Sequence, residues 1–426
     1  MVLAGPKSRP ASRVGPDPGI AGSRVSGMRR WIVIVAAVSA VVIVAGAFLI
    51  WQKVKPPPVS AFYDAPTSVA SSKPGQILRT EKVDSEVSAA RLWRILYTSS
   101  DINGKPIAVS GLVAAPTAPA PPGGYPVVVV AHGTAGINQG CAPSIKPFGK
   151  VDDKNTAYEF LVGQYVGAGY AVVMADFEGL GVKGNNSYLV GEVEGRNVLD
   201  SARALKAFPD LKVNPKVLIA GQSQGGHAAL WAGQLQPNYA PDVDIIGVVG
   251  QAPATDLEAM FRGVTGPNAR GGIVSLLVMA ADAYTQQYPD VKINQVLTSR
   301  GRGSLKNVVE KLCLVPAIIG TQLAKPSDLI QPSGLEALRS DVERNIPGST
   351  FTMPILLAQG DADVVVLPAI TQAYAAWLCA AGVDLNLKTY PGVGHFEIVD
   401  SSDHDVLTWM AAVRNGKPPT STCNLS

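Results

Sequence analysis

Histidine and cysteine are scarce in this chain of 426 residues, with only four of each. There is no Cys-x-x-Cys pair and no run of closely spaced histidines, so the spacings that hold zinc or an iron–sulfur cluster are missing. Charge is also thin: Asp, Glu, Lys and Arg make up 16% of residues, against about 25% in soluble domains. The net charge is only +3, and nothing in it suggests a nucleic-acid or acidic partner. Much of the basic excess lies at the N-terminus, where Lys7, Arg9, Arg13, Arg24, Arg29 and Arg30 face one acid, Asp17.

Behind that basic tail, residues 31–51 contain no charge and are rich in Val, Ile and Ala. About 20 such residues span a bilayer. Lys53, Lys55 and the triplet Pro56-Pro57-Pro58 close the stretch. The charge bias favours an N-terminus inside and the bulk of the chain outside. Two readings follow: a signal anchor over 31–51, or a signal peptide cleaved near Ala45-Gly46-Ala47, although Phe48-Leu49-Ile50-Trp51 carries the apolar run past that site. Both place the remainder outside the cytoplasm. There, four cysteines suggest two disulfides, for which three connectivities are possible. Residues 52–75, with several Pro and Ser, read as a semi-rigid linker without a core.

The most informative feature is Gly221-Gln222-Ser223-Gln224-Gly225. It follows the apolar run Val217-Leu218-Ile219-Ala220, and a helix-forming stretch beginning Gly226-His227-Ala228 comes straight after it. Strand, G-x-S-x-G, helix is the nucleophile-elbow context of α/β-hydrolases, in which the serine is exposed on a sharp turn. A serine hydroxyl is too weak an acid to attack an ester at neutral pH. It needs an imidazole to take its proton and a carboxylate to orient that imidazole. In this architecture both follow the serine along the chain, each after a late strand.

Residues 353–359 read as a buried strand and are followed by Gly360-Asp361-Ala362-Asp363. Residues 383–390 read as the next strand and run into Pro391-Gly392-Val393-Gly394-His395. Of the histidines, only His395 occupies a Gly-flanked loop after a late strand. His132 ends an early strand, His227 sits in the helix after the elbow, and His404 falls inside the last helix expected, over 403–413. His395 is therefore the expected base, with His404 as the alternative. Asp361 and Asp363 compete as its carboxylate. Asp361 suits the start of a tight turn, where Asp caps its own backbone, which favours Asp363. Two amides are expected to hold an oxyanion, that of Gln224 and one from the loop after the third strand. The strand over 125–131 leads into His132-Gly133-Thr134, which points to Thr134, with Gly133 and Ala135 as neighbours.

The coarse organisation is consistent with that order. A first hairpin is expected over 91–99 and 107–115 around Asn103-Gly104, with helices near 158–168 and 196–207 and strands at 171–175 and 245–249. The interval from 249 to 353 far exceeds the some 30 residues of a βα crossover. The surplus, about 254–347, has helical spacing over 272–284 and 305–319 and reads as a cap. Its apolar residues, among them Leu276, Leu277, Val278, Met279, Leu314, Val315, Ile318 and Ile319, suit either an acyl tunnel or the cap's own core. The expected organisation is a basic cytoplasmic tail 1–30, membrane segment or signal 31–51, linker 52–75, hydrolase core 76–253 with 348–426, and cap 254–347.

Besides the elbow, several stretches carry a family resemblance: Arg94-Ile95-Leu96-Tyr97-Thr98-Ser99, Ala131-His132-Gly133-Thr134-Ala135-Gly136 with Cys141-Ala142-Pro143-Ser144, Asp176-Phe177-Glu178-Gly179-Leu180-Gly181, Tyr188-Leu189-Val190-Gly191 and Asn197-Val198-Leu199-Asp200. Over roughly 75–423 the chain resembles the secretory lipases of the α/β-hydrolase superfamily. The resemblance implies an α/β-hydrolase fold with a mostly parallel sheet and a large helical cap. It also implies hydrolysis of carboxylic esters, often acylglycerols, without metal or organic cofactor; the sequence itself offers no evident obligate protein partner. Carried onto this chain, it matches Ser223, Asp363 and His395 as the triad and favours the pairs Cys141–Cys313 and Cys379–Cys423. A short-chain esterase, an acyltransferase on the same triad, and a non-catalytic scaffold on the same fold are the alternatives. Nothing in the chain suggests the propeller or peptide-terminus clamp of a peptidase.

Overall fold

The computed structural model describes residues 54–84, 89–145, 157–266, 269 and 271–424. The chain divides into Met1–Lys55 and Pro56–Ser426, and everything below concerns the second unit. The basic tail and the apolar segment 31–51 lie outside the described residues. Among the described residues no helix is long and apolar enough to cross a membrane.

The second unit is built on a sheet whose nine strands run β1 (Ile77–Val83), β2 (Ala90–Ser100), β3 (Pro106–Pro116), β4 (Tyr125–Ala131), β5 (Ala171–Ala175), β6 (Val213–Gln222), β7 (Asp244–Gln251), β8 (Ile355–Gly360) and β9 (Leu385–Tyr390). Their spatial order is β1-β2-β3-β5-β4-β6-β7-β8-β9. The first three strands and β5 pair antiparallel, and from β5 through β4 to β9 every neighbour is parallel. The inner parallel strands are covered on both faces, which is why their buried stretches read as apolar runs, whereas the edge strand β9 carries exposed Lys388 and Thr389. On β4 the two faces separate by alternation. Val127 and Val129 enter one core and Val128 and Val130 the other.

Helices α1 (Ala157–Gly167) and α8 (Ile398–Arg414) cover one face, with Tyr165 and Trp409 among the packed residues. Helices α2 (Gly191–Lys206), α3 (Gln224–Tyr239) and α7 (Pro368–Ala380) cover the other, through residues such as Leu199, Leu230 and Tyr374. This is the α/β-hydrolase architecture. Its oxyanion-side loop follows the fourth strand of this chain, because β1 adds an N-terminal strand that the sequence pattern does not announce. β1 is an edge strand carrying Arg79, Glu81 and Lys82 and is nowhere fully buried. Charge of that kind protects an open edge and also erases the alternation by which a strand is recognised.

The stretch read as a coreless linker over 52–75 is packed against the body from Pro56 onward. Tyr63 is buried in a small cluster with Leu96, Ala108 and Val182, and its hydroxyl lies 3.0 Å from Ser144 Oγ. Arg79 of β1 donates to the carbonyl of Ala61 at 3.0 Å. Composition alone hides this, since one aromatic anchor suffices to dock a Pro-rich segment that has little backbone entropy left to lose.

Between β7 and β8 lie α4 (Leu257–Thr265), α5 (Gly271–Gln287) and α6 (Leu314–Thr321) with several shorter turns. Leu277, Val278 and Met279 of α5 are fully buried in a separate apolar cluster, which also takes in Tyr188, Leu189, Val190 and Val193 from the segment entering α2. These three are therefore core, while Val315 and Ile319 on α6 are exposed. The helix expected over 305–319 is interrupted. A π-helical turn spans Leu305–Val309, Cys313 pairs with Gly136, and α6 restarts at Leu314 with Pro316 in its first turn, where no intrahelical N–H is needed.

Cys141 is bonded to Cys313 and Cys379 to Cys423, with Cα separations of 5.5 and 5.3 Å. The first ties α6 to the loop after β4. The second ties the C-terminal turn Thr422–Asn424 to α7.

Glu178, in the loop after β5, meets α5, accepting from Gln287 Nε2 at 3.2 Å. Burial raises its pKa from 4.5 to about 7. A carboxyl with a raised folded-state pKa adds stability that is complete below 4.5 and is lost as pH rises through 7. The loss is at most about 3 kcal/mol. Glu178→Gln removes that titration. The thermal midpoint of the variant minus that of the wild type, measured from pH 4 to pH 8, should therefore grow by a few degrees toward high pH. A flat difference would show that Glu178 is not the titrating group.

Candidate active site

β6 ends at Gln222 and α3 begins at Gln224, so Ser223 alone makes the turn. It does so at φ 57° and ψ −118°, a conformation that costs a non-glycine residue about 1–3 kcal/mol. Three backbone bonds hold it. Its N–H donates to Gln251 O at 2.9 Å, and its carbonyl accepts from His227 at 3.0 Å and Ala254 at 3.3 Å. The flanking glycines leave no alternative. A Cβ on Gly221 would lie 2.1 Å from the Gly225 carbonyl oxygen, and a Cβ on Gly225 would lie 1.9 Å from that of Ala131.

The late loops converge on this turn. His395 Nε2 lies 2.9 Å from Ser223 Oγ, and His395 Nδ1 lies 2.7 Å from Asp363 Oδ2. Asp363 is buried and held from below. Its Oδ1 accepts from the amides of Val365 and Val366 at 2.8 and 2.9 Å, and its Oδ2 accepts from Gln359 Nε2 at 3.2 Å. An ionised carboxylate can only accept, so Nδ1 carries the imidazole hydrogen and Nε2 is left as acceptor for the serine hydroxyl. Gln222 fixes the histidine loop by donating from Nε2 to the His395 carbonyl at 3.0 Å. Asp361, expected to cap its own turn, instead accepts from Gly392 N at 2.6 Å across the two loops.

The other histidines lie elsewhere. His404 is exposed on α8. His132 is buried, 3.1 Å from the Asp176 carbonyl oxygen. His227 is buried on α3 beside Glu194.

Gln224 opens α3, so its amide is one of the first-turn N–H groups that no helical carbonyl reaches, at the positive end of the helix dipole. Thr134 lies in the loop after β4. Its Oγ1 donates to the Tyr188 hydroxyl at 3.2 Å. The next residue, Ala135, accepts from Leu314 N of α6 at 2.9 Å. Beneath the elbow, the Gln224 side chain donates to Glu194 Oε1 at 2.6 Å. Sequence reasoning misses Glu194 and Gln359. The one available signal for Glu194 is a charge on a helical segment whose neighbours Val190, Val193 and Val198 are all apolar. Among the described residues no group of three or more His, Cys, Asp or Glu is arranged to hold a metal.

A serine at a strand–helix elbow on a mostly parallel sheet, hydrogen-bonded in series to an imidazole and a carboxylate from later loops, defines an α/β-hydrolase-type site. The family model for secretory lipases matches residues 153–422, and the chain belongs to the secretory lipase family. It is a carboxylic ester hydrolase. Among characterised relatives, the chain is 26% identical over 359 residues to lipase A of Moesziomyces aphidis, covering 78% of this chain and 75% of that one. It is 25% identical over 391 residues to the secreted triacylglycerol lipase LIP1 of Malassezia furfur, covering 85% and 77%. The fold superposes on Candida antarctica lipase A in its closed state with a TM-score of 0.74 at 21% identity, over 86% of this chain and 89% of that one. On the rice cell wall degrading esterase LipA of Xanthomonas oryzae the TM-score is 0.68 at 18% identity, over 81% and 99%.

The elbow's tolerance can be measured directly. Gly225→Ala sets a Cβ against backbone that cannot yield, and we expect at least about 3 kcal/mol of destabilisation or failure to fold, read as the urea midpoint. Gly263→Ala on α4, where nothing lies within 4 Å of an added Cβ, should be neutral or slightly stabilising. Equal effects at the two sites would contradict the packing described.

Proposed function

We propose that the chain cleaves lipid esters, acylglycerols foremost, through a Ser223–His395–Asp363 triad and an acyl-enzyme. The observation that carries this reading is the unbroken hydrogen-bond chain from Ser223 Oγ through both imidazole nitrogens to Asp363, at 2.9 and 2.7 Å. His395 Nε2 takes the hydroxyl proton as Oγ attacks the ester carbonyl. Asp363 stabilises the resulting imidazolium. The amides of Gln224 and Thr134 hold the oxyanion. His395 then gives the proton to the departing alcohol, and a water repeats the sequence on the acyl-enzyme.

An apolar substrate is supported by what surrounds the reacting groups. The residues next to the triad members on the late loops, Val364 and Phe396, are 75% and 60% exposed. Exposed apolar side chains grouped beside a polar site are of the kind that mark ligand-binding surfaces. An acyl chain leaving water contributes about 0.8 kcal/mol per CH₂. In this reading residues 76–253 with 348–426 form the hydrolase core and 254–347 the cap. The body lies outside the cytoplasm, carried by 31–51 as an anchor or released from it. Two disulfides suit that compartment.

Hydrolysis rates across p-nitrophenyl esters of rising chain length, beside an emulsified triacylglycerol, test the substrate class. Rising kcat/KM with chain length and turnover of the emulsion are expected. A preference for acetate with no action on the emulsion would make the enzyme a short-chain esterase, and transfer to an added alcohol in preference to water would make it an acyltransferase. Ser223→Ala should remove turnover and fluorophosphonate labelling together. Asp363→Asn, which leaves the imidazole in the wrong tautomer, should lower kcat about 10³- to 10⁴-fold with the fold intact.

A further inference from the structure

Glu194 is fully buried on α2, and its carboxyl is bonded to both sides of the site. Oε1 accepts from Gln224 Nε2 at 2.6 Å and from the backbone N–H of Leu189 at 3.0 Å. Leu189 is held at φ 56°, a strained value for a branched residue. It directly follows Tyr188, whose hydroxyl accepts from Thr134 Oγ1 at 3.2 Å. One carboxyl oxygen is thus joined to Gln224 by a single bond and to Thr134 through two residues of backbone and one phenol.

The second oxygen fixes the first. Oε2 lies 3.3 Å from His227 Nδ1, and His227 Nε2 lies 2.7 Å from the carbonyl oxygen of Asn345. A carbonyl only accepts, so Nε2 donates there. One proton then remains between Nδ1 and Oε2, as an imidazolium–carboxylate or a neutral imidazole and carboxylic acid. In both forms Oε1 keeps its lone pairs for Gln224 and Leu189. The Asn345 carbonyl also accepts from Trp231 Nε1 at 3.1 Å, and the Asn345 side-chain oxygen accepts from Gly191 N at 2.8 Å. The network therefore closes around the start of α2, where a buried carboxyl without partners would be prohibitive.

We infer that Glu194 is a positioning residue that sets the two proposed oxyanion donors, the amides of Gln224 and Thr134, relative to each other. The inference rests on the function proposed above. Losing one oxyanion donor costs about 10²- to 10³-fold in kcat, and a displacement of about 1 Å can cost 10²-fold. Glu194→Ala in the full chain should therefore lower kcat on a soluble p-nitrophenyl ester about 10- to 100-fold with KM within about 3-fold. Affinity for an alkyl boronic acid, whose serine adduct places an oxyanion in the same hole, should fall by a comparable factor. Glu194→Gln can still accept from Gln224 and Leu189 and donate to His227 Nδ1, and should recover kcat to within about 3-fold of wild type. Tyr188→Phe cuts only the Thr134 arm at nearly constant volume, and should lower kcat and boronate affinity about 3- to 10-fold with little change in thermal midpoint.

If Glu194→Ala lowers the thermal midpoint but keeps wild-type kcat and boronate affinity, Glu194 is only structural and the inference is overturned. Should Glu194→Ala fail to fold, unchanged kcat and boronate affinity in Tyr188→Phe overturn it equally. Ser223→Ala separates the two levels. A variant that still hydrolyses esters sinks the proposed function, whereas an inactive one alongside a fully active Glu194→Ala sinks this inference alone.

Discussion

The site depends on a turn one residue long. β6 and α3 are separated by Ser223 only, and a strand can reverse into a helix that abruptly only if the residues two before and two after the serine lie almost in contact. Gly221 and Gly225 meet that demand, and Gly225 in turn lies against the Ala131 carbonyl of β4. The elbow is thereby registered to the strand that leads into the Thr134 loop. A larger residue at either glycine would push α3 away from the sheet and the serine with it. The left-handed backbone at Ser223 is tolerable because the sheet and helix on both sides over-determine it.

What the parallel sheet adds is convergence. Residues far apart in the chain reach one place because the loops after β4, β6, β8 and β9 all leave from the carboxyl ends of their strands, where open α/β sheets hold their ligands. Neutral amides finish the alignment. Gln222 at the end of β6 holds the His395 carbonyl, Gln359 near the end of β8 holds Asp363, and Gln251 at the end of β7 reaches Ser402 of α8. An amide donates to a carbonyl or carboxylate without introducing a charge. It therefore fixes the loops without competing electrostatically with His395 for Asp363.

Much of this was legible because burial on both faces leaves a strong mark in sequence. β4 and the buried stretches 217–220 of β6 and 355–358 of β8 are apolar runs, and the motif at Ser223 needs glycines at fixed offsets for steric reasons that do not vary with context. β1 was not legible, because its edge position replaces alternation with charge. The docking of 56–75 rests on Tyr63 and on Arg79, contacts that no local pattern encodes. The break before α6 falls at Cys313, whose partner lies 172 residues away. Glu194 was hidden for the opposite reason: an acid in the first turn of a helix, like its neighbour Glu192, ordinarily faces water. Its partners Gln224 and His227 come from another helix, and only the tertiary structure shows the charge turned inward.

The insertion between β7 and β8, the cap of the proposed reading, is tied to the rest of the molecule at several places. It leaves the sheet at β7 and returns at β8, and it is fastened a third time at Cys141–Cys313, beside the bond from Leu314 N to Ala135 O. Its apolar core includes Tyr188, Leu189 and Val190, residues that belong to the body and lead into α2. A rigid rotation of the whole insertion would have to expose that shared core, at about 25 cal/mol for each Å² of apolar surface, while the disulfide kept its edge fixed. Small local shifts of α6 and the late loops expose far less. In the reading proposed above, the fastening that joins the Thr134 loop to α6 favours entry by adjustment at the rim over wholesale lifting of residues 254–347.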